Sequence, residues 1–140
     1  MWSTQTFAGA ASIRTKRIAL GTDRTLFADP SAGLLGVTSL AVQGRQVYAV
    51  FQTDLIAYSL DGPGETFLAK VGGTETLSIV GTDFWYGDFG KGDIYRRALS
   101  APSTEASTLV VDSATSLLAL EKHPTGIYWL SKDHVMRVVR

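Results

Sequence analysis

Three times along this chain the same succession of short apolar runs returns, and that repetition limits the folds open to it more than any single motif. Leu40-Ala41-Val42, Leu77-Ser78-Ile79 and Leu118-Ala119-Leu120 open the three units. After a turn, each is followed by an aromatic-bearing run: Val47-Tyr48-Ala49-Val50, Phe84-Trp85-Tyr86 and Ile127-Tyr128-Trp129-Leu130. A polar turn holding an aspartate comes next, and then a third run, at 55–60, 94–99 and 135–139. Phe67–Val71 and Thr108–Val111 supply a fourth run to the first two units. The runs are short and alternate, as strands with one face buried do. β-branched and aromatic residues favour the pleated conformation, while Gly, Asp, Ser and Pro mark the turns.

The N-terminal stretch follows the same template less closely. Ile18-Ala19-Leu20 would be its second run, Leu26-Phe27-Ala28 its third and Leu34-Leu35-Gly36-Val37 its fourth. The aspartates ahead of the third runs, Asp23, Asp54, Asp93 and Asp133, set the period at 31, 39 and 40 residues. Four short strands per unit at such a period predict an all-β chain of β-propeller blades, each a four-stranded antiparallel sheet. The boundaries predicted are a less regular first blade over 1–37, blades over 38–73 and 74–113, and a blade over 114–140 without its last strand. Residues 112–123 also carry helix-like signals, with cap candidates before them and Pro124 and Gly126 after. Alignment with the earlier units makes this segment a strand.

Phe84-Trp85-Tyr86-Gly87-Asp88-Phe89-Gly90-Lys91-Gly92-Asp93-Ile94-Tyr95-Arg96-Arg97 resembles the core of a YWTD-type propeller repeat. That pattern is an aromatic pair, a small residue, Asp, a glycine-bearing turn and an alternating strand. Thr125–Leu130 resembles the same element, with Leu130 and Ser131 in place of the Thr-Asp pair, and Val47–Phe51 keeps only its apolar frame. The resemblance spans residues 38–140 and implies a ring of about six blades. A chain of 140 residues with three clear units would then be a partial propeller, an incomplete or oligomer-completed ring. Its expected partner is another protein or a second copy that completes the ring.

Composition removes several function classes. Thirteen Lys and Arg balance thirteen Asp and Glu, so no basic field exists to gather nucleic acid or an anionic membrane. Cysteine is absent, which excludes disulfides, thiolate metal sites and cysteine nucleophiles. Asparagine is absent as well, so no N-glycosylation acceptor exists. The first residues carry neither a basic n-region nor an apolar h-region, and the apolar runs are shorter than the roughly 20 residues of a spanning helix. A cytoplasmic location is the default expectation.

In a propeller of this type the turns between second and third strands share one face with the links between blades. This rim would gather Asp23, Gln52, Asp54, Glu75, Asp88, Lys91, Asp93, Asp112, Lys132 and Asp133, with His134 beside them. Such aspartates could hold a cation through hard oxygen ligands. Their recurrence with the repeat favours a plainer role, each capping its own turn. Trp85, Tyr86, Tyr128 and Trp129 could line a sugar or peptide groove. At alternating strand positions they are more often packing residues, and one of each pair should face each way. His123 and His134 lie near Glu121, Lys122 and Asp133, yet no ordered Ser/His/Asp set emerges and both read as solvated turn histidines. The Arg96/Arg97 and Arg14/Lys16/Arg17 groups read as solvated or edge positions. Asp88-Phe89-Gly90 spells a kinase magnesium motif without its companions, and the glycines at 87, 90 and 92 do not form a phosphate loop.

The reading that follows is a non-enzymatic binding or scaffold module offering its rim to a protein, peptide or glycan. The binding candidates are Asp54, Asp88, Lys91, Asp93, Lys132, Asp133 and His134, with Trp85, Tyr86 and Trp129 as aromatic candidates. No catalytic residue, metal or cofactor is implied. The alternatives are part of a propeller enzyme, such as a metal-dependent lactonase or sugar hydrolase, and a self-assembling partial propeller. Lactonases resembling this fold use asparagine among their metal ligands, which weakens the first alternative.

Overall fold

The computed structural model describes the backbone at 2–5, 11–17, 22–29, 37–72, 74–88, 91–112, 119–123, 126–130 and 135–139. Side chains are described within 37–72, 76–88, 91–112, 119–121, 126–130 and at 123 and 135. The chain is all-β, and no helix occurs among the described residues. In particular, none there is long and apolar enough to cross a membrane.

Fourteen strands are described: β1 (Trp2–Gln5), β2 (Ala11–Arg17), β3 (Thr22–Asp29), β4 (Val37–Gln43), β5 (Gln46–Phe51), β6 (Asp54–Ser59), β7 (Glu65–Lys70), β8 (Thr74–Val80), β9 (Asp83–Asp88), β10 (Asp93–Ala98), β11 (Thr108–Val111), β12 (Ala119–His123), β13 (Gly126–Leu130) and β14 (Val135–Val139). They form four antiparallel meanders in chain order. The two interior sheets, β4–β7 and β8–β11, have four strands each. Among the described residues β1–β3 and β12–β14 have three each. Expected and observed strands coincide across 38–111. In the first sheet β2 lies at 11–17, ahead of the run assigned to it, because β3 pairs with that segment. Residues 18–20 and 34–36 lie outside the described residues. Val37 belongs to β4 rather than to a preceding fourth strand. The helix-or-strand segment is strand over its last residues, 119–123, and 113–118 lie outside the description.

Local chemistry explains the turns. Two-residue connections join β4 to β5 and β8 to β9, with Gly44 at φ 57° and Gly81 at φ 63° in their first positions. A left-handed residue matches the twist of the flanking strands, and glycine adopts it without steric cost. The β5–β6 turn has Gln52 in the same position at φ 55°.

The sheets stack face to face in sequence. The first strands face one another, β4 against β8 and β8 against β12, while β1 and β2 touch β4. Alternation sends the odd and even residues of each second strand into different interfaces. Val47 and Ala49 face away from the third sheet, in a cluster with Tyr58. Tyr48 and Val50 meet Phe84 and Tyr86 in the core between the second and third sheets. Trp85 meets Ile127 and Trp129 between the third and fourth. Burying these rings and aliphatic chains is the main stabilising contribution, at about 1.5–3 kcal/mol per large side chain.

Candidate functional site

The ends of β5, β7 and β9 and the starts of β6, β8 and β10 lie at one end of the meanders, where the rim is expected. A cleft opens there, between the second and third sheets. It holds about 250 Å³ and is lined by Lys70, Val71, Gly72, Tyr86, Asp88, Tyr95 and Ser107.

Strand register builds its wall. Tyr95 on β10 lies directly opposite Tyr86 on β9. Their rings stack 5.2 Å apart at 16°, and Phe84, two residues before Tyr86, continues the stack at 5.7 Å. Asp88 ends β9 at the mouth of the cleft. Its carbonyl accepts from the Gly92 N–H at 2.7 Å, and its carboxylate accepts from the Lys91 N–H at 3.3 Å. The opposite lip is the end of β7. Lys70 donates to the Asp54 carboxylate at 2.6 Å, a contact set by their direct pairing across β6 and β7. Beyond it, Gly72 sits at φ 66° with Asp88 facing it, so that a Cβ there would lie 3.9 Å from Asp88 Oδ2.

Both tyrosines hold their protons more tightly than a free phenol. Tyr95 donates to Asp93 Oδ2 at 2.9 Å. That bond, followed by burial and the charges of Asp93 and Asp88, pushes its pKa up to about 12. Burial raises the pKa of Tyr86, reinforced by Asp88 and opposed by the Ser107 hydroxyl and Arg97. At neutral pH the cleft therefore presents two neutral phenols, beside the Asp88 side chain and Lys70, which is already engaged by Asp54. Such a set forms hydrogen bonds and packs against rings. Among the described residues no three His, Asp or Glu converge to hold a metal.

Of the sequence candidates, Asp88 and Tyr86 line the cleft and Asp93 orients its second tyrosine from a buried position. Asp54 holds Lys70 at the lip, and Lys91 is exposed on the β9–β10 turn. Trp85 and Trp129 do not join them. Both are buried in the core between the third and fourth sheets, with the Arg96 guanidinium 5.8 Å from the Trp85 ring centre. Trp85 and Tyr86 thus face opposite ways, as neighbours on a strand must. Lys132, Asp133 and His134 lie outside the described residues, as do the side chains of Asp23 and Glu75. Gln52 and Asp112 are exposed, and exposed His123 meets Tyr128 edge-on at 5.5 Å.

Sequence reasoning missed Lys70, Gly72, Tyr95 and Ser107. Tyr95 was within reach, because its offset from Asp93 puts both on one face of a strand. The reading of Arg97 as a solvated or edge residue is corrected. β10 is an interior strand between β9 and β11, and Arg97 is only 5% exposed. Its guanidinium donates to the carbonyls of Ala101, Pro102 and Glu105, and so fixes the connection that ends at Ser107. The side chains of Arg14, Lys16 and Arg17 lie outside the description.

No family model matches the chain, and no curated protein matches it in sequence. Solved structures do match its fold. A computationally designed protein, Ika4, is 15% identical, with 98% of this chain and 83% of that one covered at a TM-score of 0.63. PorZ of Porphyromonas gingivalis, described as an essential bacterial surface component of the type-IX secretion system, is 16% identical at a TM-score of 0.53. Coverage there is 94% of this chain and 20% of PorZ. A chain from an S. cerevisiae complex of dbp5 with nup159 and gle1 is 11% identical at a TM-score of 0.54, covering 94% of this chain and 38% of its own length. This chain therefore spans a fifth to two fifths of the two natural proteins. At these identities the likeness concerns the fold alone.

Proposed function

We propose that this chain is a non-enzymatic binding or scaffold module, a partial propeller whose sheets serve as blades and whose rim engages a protein, peptide or glycan. The contact point is the cleft between the second and third sheets. The observation that carries this reading is the stacked Tyr86–Tyr95 pair set between Asp88 and Lys70 where two sheets meet. Flat rings with polar tips, beside a carboxylate and an ammonium, suit one polar side chain or one sugar ring. At about 250 Å³ the cleft is smaller than the roughly 300–1,000 Å³ usual for sites that enclose a small-molecule substrate. That size favours a docking point on a larger partner over a catalytic chamber. The Tyr95 oxygen, its proton held by Asp93, can accept a hydrogen bond from a partner.

The test is amide chemical-shift mapping against peptide and glycan libraries, repeated with Tyr95→Ala and Asp88→Asn. Binding by one library, with shifts centred on Tyr86, Asp88 and Tyr95, is expected. Each variant should weaken it about tenfold, the effect of losing roughly one hydrogen bond or ring contact. Binding that maps elsewhere, or that survives both variants unchanged, overturns the reading.

A further inference from the structure

The second and third sheets each bury one particular face against the sheet that follows, and the same positions on the last described sheet stand open. Aligning the second strands makes Tyr48, Trp85 and Tyr128 equivalent, and likewise Val50, Gly87 and Leu130. Register extends the equivalence to the third strands, because Val50 pairs with Leu55, Gly87 with Ile94 and Leu130 with Val135. Leu55 is fully buried in the core between the second and third sheets, and Ile94 is 1% exposed between the third and fourth. Leu130 is 40% exposed and Val135 is 71% exposed. The buried counterparts on the other face of the last sheet, Ile127 and Trp129, match Phe84 and Tyr86 in the preceding sheet, as the repeat requires.

We infer that the open face of β12–β14, centred on Leu130 and Val135, docks a second copy of this chain, and that the sheet it receives is that copy's β1–β3. Twice in this molecule the same pair of positions is covered by the next sheet of the same kind, stacked in the same order. Among the described strands β1–β3 stands at the other end of the succession, against β4, so a second copy can bring it to the position a following sheet would take. A head-to-tail joint of this kind can be made twice between two copies, with one twofold axis relating the joints. Made at both ends of each copy, the joint gives a dimer.

Light scattering over a wide concentration range tests this directly. The mass should rise from 15.0 kDa toward twice that value as concentration increases. Leu130→Glu with Val135→Glu should raise the dissociation constant about a hundredfold or more, since two apolar contacts become buried charges. Far-UV circular dichroism should be unchanged. Val135→Cys supplies a second readout in a chain with no other thiol, namely a maleimide labelling rate that falls as protein concentration rises. A mass of one chain at every concentration overturns the inference. So does a dimer that the double substitution leaves intact, or a labelling rate that concentration does not change.

Discussion

Tyr95 stacks on Tyr86 across the β9–β10 pair at 5.2 Å, and its hydroxyl donates to Asp93, two residues before it on the same strand. Stacking and hydrogen bond together fix one ring at the mouth of the cleft and another behind it. The pair links strand register, buried aromatic surface and the proposed binding point in one unit.

The protonation of these phenols ties stability to alkaline pH. Burial pushes Tyr58 up to about 12, and the Asp93 bond does the same for Tyr95, against about 10 in an unfolded chain. A raised folded value means that the native state holds the proton more tightly. This stability is fully present below about pH 10 and is lost as pH rises through about 12. Urea midpoints measured from pH 8 to 11.5 should fall over that window, and less steeply in Tyr95→Phe. Parallel curves for the two proteins would contradict the assignment.

Arg97 anchors the 99–107 connection from inside the sheet. Arg97→Met removes three donors from backbone carbonyls and is expected to cost about 2–3 kcal/mol by urea denaturation. Faster amide exchange should be confined first to residues 101–107. Arg97→Lys should rescue little, because an ammonium cannot reproduce the forked geometry. Full rescue by lysine would show that charge alone matters.

The first positions of two turns, Gln52 and Gly44, give an oppositely signed pair. Gln52→Gly relieves a left-handed non-glycine residue and should raise stability by up to about 1 kcal/mol. Gly44→Ala should lower it by about 1 kcal/mol. Nothing lies within 4 Å of the added methyl, so the cost is conformational rather than steric. Thermal melts of the two variants should move in opposite directions.

Lys70 and Asp54 separate stability from binding. The Lys70 side chain is 72% exposed, so Lys70→Ala should change stability by less than about 1 kcal/mol. The same substitution frees a carboxylate at the lip and removes a cation, and should alter ligand affinity several-fold by titration calorimetry. A variant with lowered stability and unchanged affinity would reverse this assignment.

The strands from 38 to 111 were readable because alternation and turn chemistry are local properties. Asp88 was readable for the same reason, since it bonds a turn within its own hairpin. The opposite facing of Trp85 and Tyr86 followed from the pleat. Arg97 was not readable, because its partners are carbonyls of a long connection that only folding brings back over β10. Lys70 and Gly72 enter the cleft through contact between two sheets, and no pattern within one strand encodes that contact. The Asp54–Lys70 bond depends on a register that shifts between Leu55 and Ile56, an irregularity invisible to period-2 reasoning.

The most direct measurement is a set of nuclear Overhauser contacts between side chains of neighbouring sheets. The account expects the rings of Phe84 and Tyr86 to contact methyls of the second-sheet group Val50, Leu55 and Val71. It equally expects Trp85 and Ile94 to contact the group Ile127 and Trp129 in the fourth sheet. Rings that contact only residues of their own sheet would contradict the stacked succession, and with it the cleft that the succession creates.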